Sequence, residues 1–438
     1  MNCYDLAIVN GNIYMEGEFI RGNLYIDNGI IKSISKDIFL AKKVYDAKEN
    51  YVLPGFIDPH VHFNLKVGDN ISNDDFYNGS IVAAYGGVTT FIDFLDPVKN
   101  IEELEKAYNS RKKEAKNSIV DYGFHSTIAN FQENEELFMK EIKKKGICSI
   151  KLFTTYSSSN RKTNLRTIDN LLKISKSMDI MIMAHSENEE FIREEELPIS
   201  SHEANRPSLC EITEVLTLAE MAKERDSYMY IVHLTSGKSL ERLRKMYGDV
   251  LNKNIFIESC PQYFYLSKDN YLSEDAFLYT LTPPLRSIEE INKLRNGIDY
   301  IKVIGTDHCP FKSYEKEKET LDLIPMGIGG IENSFNLMYT MFGEKIIDKF
   351  TKNPAKIHGL YPKKGTLLPG ADGDVVIFNP LLNHKIEESH SNCDYDLYKG
   401  MEVKGEVITT ISRGRFIIKD RKLVSTEKGS YVSRELRI

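Results

Sequence analysis

No apolar run in these 438 residues approaches the roughly 20 that a membrane-spanning helix needs, so the chain is expected to make no use of a membrane. Cysteine is sparse and unpaired in pattern: Cys3, Cys148, Cys210, Cys260, Cys309 and Cys393 form no C-x-x-C motif. That fits reduced thiols rather than a disulfide frame or a thiolate zinc site. Positive charge is not in excess either, with 57 Lys and Arg against 64 Asp and Glu and a net charge of −7. Nothing therefore marks a nucleic-acid surface. Met1 to Asp5 lack a basic segment leading into an apolar core, and a cytoplasmic location is the expectation. A phosphate-cradling loop is also missing, because Gly327-Ile328-Gly329-Gly330 has no strand before it.

The length exceeds what one ordinary core fills, so a large barrel with a smaller domain, or two to three ordinary domains, is expected. Short alternating segments at 5–9 and 23–26, with turn signals Asn10-Gly11 and Asn28-Gly29, read as antiparallel strands. The same texture returns at 374–378, 403–411 and 415–418. Neither end has enough apolar surface to stand alone. Residues 1–50 and 365–438 are therefore expected to combine into one small β-domain, with 51–364 inserted between its halves.

Within that insertion, apolar runs at 56–63, 89–95, 121–128, 149–154, 180–186, 229–235, 255–260 and 302–306 alternate with charged helical segments. Eight such alternations predict a (β/α)₈ barrel of the TIM type, an α/β fold whose active sites lie at the C-terminal ends of the strands. Metal-capable side chains fall where that rule asks for them. His60 and His62 share one face of the first strand, Lys151 lies on the fourth, His185 on the fifth, His233 on the sixth, and Asp307 follows the eighth. Nitrogen and carboxylate donors without thiolates suit zinc, manganese or iron(II). Six groups exceed the three that one catalytic zinc takes, which points to two ions. Lys151 stays unexplained on this reading, since an ammonium does not bind a cation.

The stretches Pro54-Gly55-Phe56-Ile57-Asp58-Pro59-His60-Val61-His62, Ile150-Lys151-Leu152-Phe153-Thr154-Thr155-Tyr156, Ala184-His185-Ser186-Glu187-Asn188, Glu258-Ser259-Cys260-Pro261-Gln262-Tyr263 and Gly305-Thr306-Asp307-His308-Cys309-Pro310-Phe311 resemble the cyclic amidohydrolases. Within them the chain is most similar to the dihydropyrimidinase/hydantoinase branch, over nearly its whole length. The resemblance implies that Lys151 is N-carboxylated and bridges two divalent ions, zinc first and manganese second. His60, His62 and Asp307 would hold one ion and His185 and His233 the other, with a hydroxide between them. It further implies that Asp307 moves the proton, that Tyr156 donates to the oxyanion, and that Thr282 and Asn333 meet the ring largely through backbone groups. A homotetramer or homodimer is the implied assembly.

The substrate implied is a small cyclic ureide or imide of the dihydropyrimidine or hydantoin kind. Asn64 stands where dihydroorotases place a carboxylate-gripping arginine, which counts against dihydroorotate. An allantoinase- or dihydroorotase-type amidase is the alternative, and a non-catalytic scaffold of the same fold is a third reading. Lys66, Arg161 and Lys162 lie in segments resembling loops over the substrate and read as solvated charges or as partners of an acidic substituent. His125 and His308 read as structural.

Overall fold

The computed structural model describes residues 3–193 and 197–437, so the extreme N-terminus read above lies partly outside the described residues. Eight strands form a parallel sheet in chain order: Phe56–Val61, Val88–Phe94, Asp121–Thr127, Ser149–Phe153, Met181–His185, Met229–Ile231, Ile255–Ser259 and Val303–Ile304. They occupy the eight apolar runs seen in the sequence. The runs are continuous rather than alternating because the sheet is covered on both faces; all six residues of the first strand are buried. The ring closes beyond the eighth strand, where Asp307 N donates to His60 O (2.8 Å) and His62 N to His308 O (3.0 Å). This closure carries Asp307 to the two histidines.

The connecting helices include Ile101–Ala115, Glu135–Lys144, Leu165–Ser175, Ser208–Glu224, Gly237–Tyr247 and Ile288–Asn296. Most start on a side-chain cap: Asn100, Asn134, Asn164, Ser236 and Ser287 each accept from a free backbone N–H of the first turn. Among the described residues no helix is long and apolar enough to cross a membrane.

Both chain ends build the second sheet. Tyr51–Pro54 pairs with Tyr4–Met15 on one side and antiparallel with Val375–Lys385 on the other, which joins the N-terminal strands to Glu402–Ser412 and Arg415–Lys419. This β-sandwich domain has its own core, with Leu6, Ile8, Leu24 and Ile26 packed against Val375, Ile377 and Ile411. Asn28-Gly29 makes the expected hairpin turn, with φ of 52° and 72°. Asn10-Gly11 does not turn the chain. It is a register shift inside Tyr4–Met15, where Asn10 takes φ 55° and a Cβ on Gly11 would lie 2.4 Å from Val52 Cγ2.

The last residues return to the base of the barrel. Val432 N donates to Tyr122 O (2.7 Å) and Arg434 N to Gly146 O (2.8 Å). The buried Arg434 guanidinium donates to His358 O (3.2 Å) and Ser149 Oγ (2.9 Å).

Candidate metal centre

The floor of a cavity of about 780 Å³ at the C-terminal end of the barrel is formed by His60, His62, Lys151, His185, His233 and Asp307. The structure thus brings the six groups together from strands one, four, five, six and eight. They fall into two groups. Asp307 Oδ1 lies 3.2 Å from His60 Nε2 and 3.0 Å from His62 Nε2, and His185 Nδ1 lies 3.1 Å from His233 Nε2.

Which nitrogen carries the proton follows from the carboxylates behind the rings. Glu258 Oε1 accepts from His60 Nδ1–H at 2.7 Å, so the lone pair of His60 sits on Nε2 and faces Asp307. Glu187 Oε2 accepts from His185 Nε2–H at 2.8 Å, so the His185 lone pair sits on Nδ1 and faces His233. Lone pairs brought this close repel unless a proton or cation lies between them. The donor set therefore fits two divalent ions by type and by direction. Burial lowers the proton affinity of His60, yet Glu258 and Asp307 outweigh it and lift the imidazole to about 9. That is the attraction a metal cation would feel. Burial also raises the Asp307 carboxyl, but His60 and His62 hold it well below the usual carboxylate range.

Lys151 is buried and its amine is lowered by burial to about 8. Its Nζ stands over the rings of Phe94 and Phe153, 5.5 Å from each, and no carboxylate pairs with it among the described residues. An unpaired ammonium is expensive in such a place.

Backbone conformation is strained at this floor. Tyr156, His233 and Asp307 adopt φ of 73°, 38° and 54°, a region that non-glycine residues seldom enter and that costs on the order of 1–3 kcal/mol each. Tyr156 lines the cavity, with its hydroxyl 3.4 Å from Arg206 Nη2. Burial pushes that hydroxyl up to about 12, so it keeps its proton. Arg206 also clasps Glu187 at 2.6 Å. Burial raises the Glu187 carboxyl but Arg206 and His185 more than offset this, and it remains a carboxylate.

The other expected residues divide between the cavity and its surroundings. Thr282 lines the cavity. The Asn64 side chain turns away, donating to Glu114 Oε2 at 3.4 Å. Asn333 donates its side-chain amide to Asp396 Oδ2 at 3.1 Å at the start of the helix Ser334–Phe342. The wall is supplied instead by Met326, Gly327 and Ile328, in the loop before that helix. His125 is buried with both ring nitrogens bonded, to Ser149 Oγ and Pro59 O, and His308 is held by Asp74. Lys162 pairs with Glu189 at 2.7 Å. Glu187, Glu258 and Arg206 were not singled out from the sequence. The available signal was a carboxylate within the buried run Ile255-Phe256-Ile257-Glu258. A further trio, Asp121, Asp372 and Asp374, has metal-like spacing, but the Lys364 ammonium sits among them at 2.8, 3.0 and 2.6 Å.

Residues 51–417 match the model of the amidohydrolase family. A D-phenylhydantoinase of Escherichia coli is 32% identical over 448 residues, covering 95% of each chain. The solved D-hydantoinase of a Bacillus sp. AR9 superposes with a TM-score of 0.92 at 27% identity, over 99% of this chain and 100% of that one. The D-hydantoinase (dihydropyrimidinase) of a Thermus species does so with a TM-score of 0.91 at 31% identity, over 98% and 99%.

Proposed function

The chain belongs to the amidohydrolase family and is a metal-dependent cyclic amide hydrolase of the hydantoinase branch, and from that premise we propose that it opens a dihydropyrimidine, hydantoin or related cyclic ureide at a two-metal site. The observation that carries this is the pair of convergent lone-pair sets, His60/His62/Asp307 and His185/His233, each aimed by a carboxylate behind one of its rings. Two divalent ions, zinc or manganese, when bound would polarise the ring carbonyl and make a water acidic enough to attack near neutral pH. Lys151, unpaired between the two sets, would carry a carboxyl group on Nζ, which turns an unfavourable cation into an anionic ligand for both ions.

The chain's own groups then divide the work. Asp307 takes the proton of the attacking water on its carboxylate and delivers it to the ring nitrogen as the carbon–nitrogen bond breaks. The protonated Tyr156 hydroxyl donates to the oxygen that gains charge in the tetrahedral intermediate. Thr282 lines the same cavity, while Met326 to Ile328 close the wall against which the ring lies. The allantoinase- or dihydroorotase-type reading is not favoured, since the relatives and structural neighbours given above are hydantoinases and a dihydropyrimidinase.

A homotetramer or homodimer in the cytoplasm is part of the proposal. The six cysteines, four of them buried and none in a disulfide, support a reducing compartment. Hydrolysis of dihydrouracil, hydantoins, allantoin and dihydroorotate by zinc- and manganese-loaded protein tests the reading, alongside metal analysis of protein prepared without chelator. Ring opening of a hydantoin or dihydrouracil with about two ions per chain is expected. Fewer than one ion, with every ring left intact, would sink it.

A further inference from the structure

Besides Lys151, three cations line the cavity with no anionic partner among the described residues. Lys66 comes from the hairpin Lys66–Val67/Asn70–Ile71 after the first strand, Arg161 from the loop after the fourth, and Arg193 from the loop after the fifth. None of the three forms a side-chain ion pair or hydrogen bond among the described residues. Their neighbours are engaged: Lys162 is bound by Glu189 and Arg206 by Glu187. Two aspartates, Asp96 and Asp322, share the lining and are exposed. Among the described residues the outer wall therefore carries three positive charges against two negative, in a chain whose net charge is −7.

Arg161 is the best placed of the three. It is half-buried, and its backbone N donates to Tyr156 O at 3.0 Å. The next residue, Lys162, is bridged to Phe153, so this loop is fixed to the strand that carries Lys151. A guanidinium held there is partly dehydrated, presents a flat donor fork, and is met by no carboxylate among the described residues. Asn64, by contrast, leaves no cation immediately beside His62 for a carboxylate carried directly on the ring.

We propose that the cavity takes a ring whose exocyclic arm of one to three carbons ends in a carboxylate, gripped by Arg161 with Lys66 and Arg193 around it. The proposal rests on the cyclic amide hydrolase reading above and names its substrate class. Charge, not shape, is then the discriminating property.

The test compares 5-(2-carboxyethyl)hydantoin with its neutral isostere 5-(2-carbamoylethyl)hydantoin on the metal-loaded enzyme. The acid is expected to have the higher kcat/KM by about tenfold or more, mainly through KM, with the advantage shrinking as salt is raised. Arg161→Gln should reduce the acid-to-amide ratio at least about fivefold, whereas Lys162→Gln, whose charge is already paired with Glu189, should leave that ratio in place. Equal kcat/KM for the two rings, or a ratio that Arg161→Gln does not move, overturns the proposal alone. If neither ring nor any neutral hydantoin is opened, it falls together with the reading it rests on.

Discussion

Lys151 shares the cavity floor with two sets of lone pairs and has no carboxylate partner among the described residues, so removing its side chain should do more than leave a small void. Lys151→Ala is expected to drop bound metal below one ion per chain and to abolish ring opening, and acetate or propionate should restore part of both. Full activity in the untreated variant would refute the bridging role. Glu187 acts one step further back, holding the His185 proton on Nε2. Glu187→Gln keeps an acceptor for that proton but releases Arg206, and metal retention should weaken about 10- to 100-fold, read by competition with a chelator rather than by turnover. The six metal-capable positions were legible because the barrel rule says where along each strand a chemical side chain must lie. Glu187 and Glu258 were not, since a sequence does not say which carboxylate stands behind which ring. Asn333, as the residue opening a helix, gives its side-chain amide to Asp396, and the loop before it, Met326 to Ile328, lines the cavity.

At the level of elements, the apolar runs were readable because a strand buried on both faces leaves a continuous signature, and the helices between them begin at Asn or Ser caps. The Asn10-Gly11 bulge was not readable, because a bulge and a hairpin turn ask for the same left-handed backbone. The helix Ser208–Glu224 shows a conflict of another kind. Glu214 is buried on it with no ion-pair partner among the described residues, and burial lifts its carboxyl to about 7, with Lys162 pulling the other way. A carboxyl whose folded pKa lies above its unfolded value stabilises the fold fully only below the unfolded value, near pH 4.5. That contribution is lost as pH rises through about 7. Glu214→Gln removes the ionisation, so it should be near neutral at pH 4.5 and stabilising by up to about 3 kcal/mol at pH 8. Urea melts at the two pH values check this, and a variant equally stable to wild type at pH 8 would show that the carboxylate is solvated.

On the scale of the whole molecule, the question is what holds the terminal sheet to the barrel. Asp121 opens the third barrel strand, while Asp372 and Asp374 lead into Val375–Lys385 of the terminal sheet. The buried Lys364 ammonium joins all three carboxylates, and Arg413 adds a second cation at Asp121. Burial lowers the lysine's proton affinity, but the three aspartates raise it far more, so the clamp stays charged across the physiological range. Because its cation comes from the chain, this trio competes for no metal despite its spacing. Lys364→Met would leave the carboxylates buried against one remaining guanidinium, a loss on the order of 3–5 kcal/mol, read as a lower urea midpoint. Adding Asp374→Asn to that variant should recover part of the loss, since one fewer negative charge is stranded. Metal content separates this clamp from the proposed metal site: Lys364→Met should retain as many ions per chain as the unaltered protein, whereas loss of metal with the lysine would mean that the sheet holds the barrel mouth in register.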